Sequence, residues 1–129
     1  MDEENKKVLV SLQLEKAHHF LQQADEMYSL HHWDLAANRY YYACYHAVQG
    51  LFIANNIPTA KKHAGVVNLF SLHFVKTGIV DPSLGSFLAR MMQLRQKADY
   101  NCFYDIKEEE LKDYIVLSKA LVNKIEELL

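Results

Sequence analysis

Residues that break helices are scarce in this chain: four Gly and two Pro in 129 residues leave few places to turn. Between those breaks, apolar residues recur at three- and four-residue steps, the period of a helix with one buried stripe. Five helices follow from that pattern. The first covers about Lys6 to Ser29, with Val8, Leu12, Leu14, Ala17, Leu21, Ala24 and Tyr28 on one side, and the His31-His32 pair marks its end. The second runs from Asp34, read as its N-cap, to about Asn55, where Asn55-Asn56-Ile57-Pro58 stops it. The third spans about Lys62 to Lys76 and closes at Thr77-Gly78. Asp81-Pro82 opens the fourth, which reaches about Tyr100. Asp105 to Glu108 has the spacing of a capping box, and Glu108 to Glu110 fall in the first turn of a fifth helix ending at Leu129. No segment alternates like a strand, so the expected fold is all-α: an antiparallel up-and-down bundle of about five helices, one domain over residues 1–129. Its expected core is Tyr41, Tyr45, Val48, Leu51, Phe52, Val67, Phe70, Phe74, Phe87, Leu88, Met91 and Leu94.

The second helix is unusual. Around Asn38-Arg39-Tyr40-Tyr41-Tyr42-Ala43-Cys44-Tyr45-His46-Ala47-Val48 it is apolar or aromatic on nearly every side, and such a helix must be covered all round. A small bundle covers roughly two thirds of one helix, so a second copy is expected over the rest, giving a homodimer. Cys44 and Cys102 lack C-x-x-C spacing, and the start Met-Asp-Glu-Glu is unlike the basic head of a signal peptide. The expectation is a cytoplasmic protein with free thiols and no membrane span; the densest apolar window, Tyr40 to Ile53, is interrupted by His46, Gln49 and Gly50.

A formal net charge of −2 argues against a surface built wholly for nucleic acid. The charge is uneven, however. Residues 59–100 carry six basic and two acidic side chains, between flanks that each carry four basic and seven acidic. Lys61, Lys62, Lys76, Arg90, Arg95 and Lys97, with His63 and His73, form either a phosphate-receiving patch or the basic halves of ordinary ion pairs. The seven histidines do not have metal-ligand spacing: His18-His19 and His31-His32 are adjacent, which on a helix turns them about 100° apart, and H-x-x-x-H is absent. No metal and no cofactor are expected, and no nucleophile elbow or Gly-rich phosphate loop is present.

Two places remain. Arg39 and His46, seven residues apart, share one face of the most apolar helix, and an arginine buried there requires a carboxylate or a phosphate. Arg95 and Asp99 stand at i and i+4, either as an ordinary ion pair or with Asp99 reaching across the bundle to Arg39 and leaving Arg95 free.

The stretches NRYYYACYHAVQGLF, KKHAGVVNLFSLHFVKTG and LRQKADY, in that order and spacing over Asp34 to Tyr100, resemble the signatures of the HEPN (higher eukaryotes and prokaryotes nucleotide-binding) family. The resemblance implies a dimerising helical bundle with a nucleotide- or RNA-related role, frequently paired with a minimal nucleotidyltransferase in toxin–antitoxin-like systems. It also sets Arg39 beside Asp99. HEPN ribonucleases are known for an arginine followed after four to six residues by a histidine; the arginine here that resembles it is Arg95, and no histidine follows it. Asp99 and Tyr100 stand there instead. The expected protein is therefore a non-catalytic module that binds nucleotide or RNA phosphate through Lys62, His63, Arg95 and Lys97, in a pocket framed by Arg39, Tyr42, His46, Asp99 and Tyr100. The alternatives are a metal-independent ribonuclease using Arg95 with His46 or His63, and a dimeric scaffold with no ligand.

Overall fold

The computed structural model describes residues 2–58, 62–102 and 105–129, and these form helices with no strand among them. Helix α1 (Glu3–Ser29) starts where the Asp2 carboxylate accepts the Asn5 N–H at 2.8 Å, with Glu3 and Glu4 at the positive end of the helix dipole. His31 takes a left-handed conformation at φ 63° and turns the chain into α2 (Trp33–Ala54). Asp34 is not the N-cap. His32 occupies that position, and the Asp34 carboxylate accepts the Ile106 N–H at 3.3 Å, because that extended loop has a backbone donor to satisfy.

Helix α2 runs antiparallel to α1, as three contacts in reverse order record: Tyr40 with Asp25, His46 with Gln13, and Gly50 beside Val10. At Gly50 a Cβ would sit 3.4 Å from that of Gln13, so the absent side chain lets the two helices close. Asn56, left-handed at φ 57°, ends α2 ahead of Pro58.

Helix α3 (His63–Phe70) passes into a π-helical turn, Ser71–Val75, where the Lys76 N–H reaches the Ser71 carbonyl at 2.8 Å. Gly78, at φ 83°, makes the following turn. Helix α4 (Pro82–Tyr100) begins with Asp81 accepting the Ser83 N–H and Pro82 in the first turn. The expected fifth helix is broken into α5 (Glu108–Leu111) and α6 (Tyr114–Glu127). The cap is Lys107 rather than Asp105: the Glu110 side chain, three residues on, accepts the Lys107 N–H at 3.1 Å.

Helix α6 closes the bundle, antiparallel to α1 through the His18–Glu126 and Asp25–Lys119 pairs and alongside α2 through Tyr114 and Cys44. The core holds Tyr41, Val48, Leu51, Phe52, Phe70, Phe74, Phe87, Leu88 and Met91 as expected, together with Tyr40, Leu111, Tyr114, Leu121 and Ile125. Each buried Leu or Ile contributes about 1.5–3 kcal/mol relative to exposure. Tyr45, Val67 and Leu94 are only half-buried, and two of them border the site described next. No helix among the described residues is long and apolar enough to cross a membrane.

Candidate functional site

Two consecutive turns of α2 carry two adjacent aromatic stripes, Tyr41 with Tyr45 and Tyr42 with His46, each pair four residues apart. Opposite them, α3 begins at His63, whose ring lies 4.8 Å from that of Tyr45, 5.6 Å from Tyr41 and edge-on to Tyr42 at 6.1 Å. The Tyr41 hydroxyl meets His63 Nδ1 at 2.5 Å. Burial raises the Tyr41 pKa, against the lowering influence of Arg95, so the phenol keeps its proton. Burial, with Arg95 next, lowers the His63 pKa, opposed by Asp99, so the ring is neutral near pH 7. Its Nδ1 is taken up by the Tyr41 hydroxyl, and its Nε2 has no hydrogen-bond partner among the described residues.

Arg95, from α4, lays its guanidinium over Tyr42 at 5.2 Å and Tyr41 at 5.6 Å. Its side chain is 22% exposed, and among the described residues its one ion pair, with Asp99 at i+4, is long at 3.4 Å and its buried Nε has no hydrogen-bond partner. A guanidinium carries five donors, so this one is held rigidly by rings and left short of acceptors.

The expected pairing of Arg39 with Asp99 is not what the structure shows. Arg39 is half-buried over the Phe20 ring of α1 at 5.4 Å and donates to Asn38 Oδ1 at 2.8 Å. An aromatic face and an amide serve a partly solvated guanidinium adequately, while Asp99 is engaged by Arg95 of its own helix. His46 stacks on the same Phe20 at 5.4 Å and bonds Gln13 through Nδ1 at 2.8 Å; burial, then Lys16, lowers its pKa.

The expected basic patch also divides. Arg95 and His63 converge with Lys62 adjacent and exposed, whereas His73 and Lys76 lie beyond the far end of α3, roughly 15 to 20 Å away at 1.5 Å per residue. Arg90 is drawn to Asp113 at 3.2 Å and to the Phe87 ring. Lys97 is exposed on α4, Tyr100 stands 89% exposed at its end, and Lys61 falls outside the described residues. Cys44 is buried against the Ser118 carbonyl, its thiol pushed up to about 12 by burial, which makes it a packing residue. Among the described residues no three His, Cys, Asp or Glu side chains are grouped to hold a metal ion. A cleft of about 320 Å³ opens on the side of Arg95 toward Asn38, Asp34 and Ile106.

Tyr41 is buried in the core as expected, whereas Tyr45 is half-buried, and nothing in the sequence marks the part Phe20 plays; these rings hold His63, Arg95, Arg39 and His46 in place. The signal was the aromatic run Tyr40-Tyr41-Tyr42 followed by Tyr45, too many rings for one core-facing stripe.

Set against known proteins, residues 10–128 match the HEPN domain. A Thermotoga maritima protein named "UPF0332 protein" is 38% identical over 94 residues, 73% of this chain and 70% of its own length. Two Methanocaldococcus jannaschii proteins are similar: "Putative toxin MJ0142", 31% identical over 90% of this chain and 78% of its own, and "Putative toxin MJ0605", 35% identical over 73% and 69%.

Proposed function

The chain belongs to the HEPN family, and from that premise we propose that it is a non-catalytic module that binds the phosphate of RNA or a nucleotide at Arg95. The observation that carries this reading is the Arg95 guanidinium, braced over two tyrosines, short of acceptors and set beside a neutral His63. A phosphate supplies the oxygen acceptors the guanidinium lacks. In the tautomer that carries its proton on Nε2, His63 adds a neutral donor, and Lys62 and Lys97 add charge at the rim. Tyr42 supports Arg95 from beneath, Asp99 fixes it from the side, and Arg39 and His46 anchor α2 to α1 through Phe20.

Binding is favoured over cleavage because no histidine follows Arg95 in the chain, so the arginine lacks the proton carrier that HEPN ribonucleases place four to six residues after it. In the proposed cellular setting the module is a homodimer partnered by a minimal nucleotidyltransferase in a toxin–antitoxin-like pair; two relatives that bear the word toxin in their names support that setting.

Fluorescence anisotropy with a short single-stranded RNA tests the reading. The chain binds with strong salt dependence, and Arg95→Ala weakens binding and lowers the slope of log affinity against log salt by roughly one. Unchanged affinity in Arg95→Ala overturns it, and no binding at all favours a scaffold. The ribonuclease reading is favoured by one observation, the closeness of His63 to Arg95. It requires the His63 tautomer in which Nδ1–H is donated to the Tyr41 oxygen, leaving Nε2 unprotonated as the base. RNA cleavage that survives chelation and disappears in His63→Ala establishes it in place of the first.

A further inference from the structure

Beside Arg95 and away from His63 lies the cleft of about 320 Å³, at the small end of ligand-sized cavities, which run from about 300 to 1,000 Å³. Its walls are apolar, with Met91, Leu94, Ala98 and Ile106 contributing side chains suited to a flat ring. Its polar groups are Asp34, Asn38 and Asp99, with Arg95 at the border toward His63. Two carboxylates against one guanidinium make this a poor place for a phosphate. They make it a good place for a neutral group rich in N–H donors.

The hydrogen bonds already made there narrow the choice. Asn38 Oδ1 is occupied by Arg39, so the amide presents its NH₂ donors. One Asp34 oxygen accepts the Ile106 N–H. Among the described residues Asp99 contacts Arg95 through one oxygen, at 3.4 Å, so its oxygens retain acceptor capacity. A carboxylate with both oxygens available fits two adjacent N–H donors. Among the four RNA bases only guanine offers that pair, N1–H and the exocyclic N2–H₂, next to a carbonyl that an amide NH₂ can meet. Adenine and cytosine put a ring acceptor beside their amine, and uracil has a single N–H between two carbonyls.

We propose that this cleft takes an unpaired guanine, its N–H edge on Asp99 and a carbonyl toward Asn38, while the attached phosphate rests on Arg95. The proposal rests on the Arg95 reading and adds a base preference to it. The cleft shares Asp34, Leu35 and Ile106 with a second opening that leads to Trp33 and His31, so a strand continuing past the base has an exit.

Titration calorimetry on the purified chain with GMP, AMP, CMP, UMP and inorganic phosphate tests this. GMP is expected to bind at least tenfold tighter than the other four. Ala98→Leu, which fills the cleft, is expected to bring GMP down to the level of AMP while leaving phosphate binding in place, and Asp99→Asn, which replaces one acceptor oxygen by a donor, to remove the preference of GMP over AMP. Arg95→Ala weakens all five. Equal binding of the four nucleotides, or a guanine preference that survives both cleft variants, overturns the guanine site while leaving the Arg95 phosphate reading standing. Loss of discrimination by Arg95→Ala with full retention of phosphate binding instead overturns the Arg95 reading beneath it. A uridine tract carrying one guanosine, compared with uridine alone, separates a base within a strand from a free nucleotide: a tenfold gain from the single guanosine supports the strand, and no gain against a retained GMP preference assigns the site to free nucleotide.

Discussion

Tyr40 and Tyr41 are neighbours on one helix, both buried, and they end in opposite chemistry. The Tyr40 hydroxyl donates to Asp25 at 2.6 Å, and the other oxygen of Asp25 holds Lys119 at 2.8 Å. That chain links α2 through α1 to α6 entirely within the protein, with the buried hydroxyl bonded to a carboxylate. The Tyr41 hydroxyl is bonded instead to His63 Nδ1, and His63 stands beside Arg95, whose buried Nε has no hydrogen-bond partner among the described residues. A turn of about 100° around α2 separates a closed network from an open one. The lesson is that burial alone does not distinguish structure from function here; what does is whether the polar groups behind the buried ring are fully bonded. A closed network holds three helices together, whereas an open one carries an unmet demand for acceptors that a ligand can satisfy.

Replacing each hydroxyl separates the two sides. Tyr40→Phe breaks a hydrogen bond to a carboxylate and is expected to cost about 1.5–3 kcal/mol of stability in urea denaturation, with RNA affinity unchanged. Tyr41→Phe removes a bond between neutral groups, so a smaller loss of about 0.5–1.5 kcal/mol is expected. Its distinguishing effect lies in binding: without the hydroxyl that fixes its Nδ1, His63 is no longer held in place, and affinity for phosphate falls. If Tyr40→Phe alters binding more than Tyr41→Phe, the division between the two sides is wrong. A third test concerns Arg39 and Asp99, which the structure keeps apart. Arg39→Met and Asp99→Leu are expected to add within about 0.3–0.5 kcal/mol in the double variant, and a larger coupling energy contradicts the separate placement.

The smallest effect is on pH dependence. His46 and His63 are both held below the ordinary histidine value, chiefly by burial, so the unfolded chain takes up protons first as pH falls. Their contribution to stability is full above the unfolded value of about 6.5 and is lost as pH drops through the lowered folded values. The melting temperature is therefore expected to decline from pH 7.5 to 5.5, and His46→Gln and His63→Gln each to flatten that decline. A steeper decline in either variant contradicts the burial argument.

Much of this was legible in the chain. Helix positions followed from scarce breakers and a clear period, so Asp81-Pro82, Gly78 and Asn55-Asn56 delimit helices as read. Caps were less legible, because Asp34 and Asp105 have cap chemistry but the decisive partners, Ile106 and Glu110, are set by where a loop lies in space. At the site, Arg95 and His63 were identifiable as charged or titratable residues in a basic segment. Their juxtaposition was not, since 31 positions separate them and only the docking of α3 against Tyr41 and Tyr45 brings them together. The Arg39–Asp99 pairing failed for the same reason: no periodicity on α2 announces that Phe20 of α1 supplies a partner.

The central claim is that the Arg95 guanidinium is the group that receives phosphate. The most direct measurement follows the arginine Nε–H signals of the ¹⁵N-labelled chain by NMR as inorganic phosphate is added at low salt. The Arg95 signal, assigned by its loss in Arg95→Lys, is expected to shift saturably, while those of Arg39 and Arg90, already bonded to Asn38 and Asp113, stay in place. An unmoved Arg95 signal, with Arg39 or Arg90 shifting instead, contradicts the account.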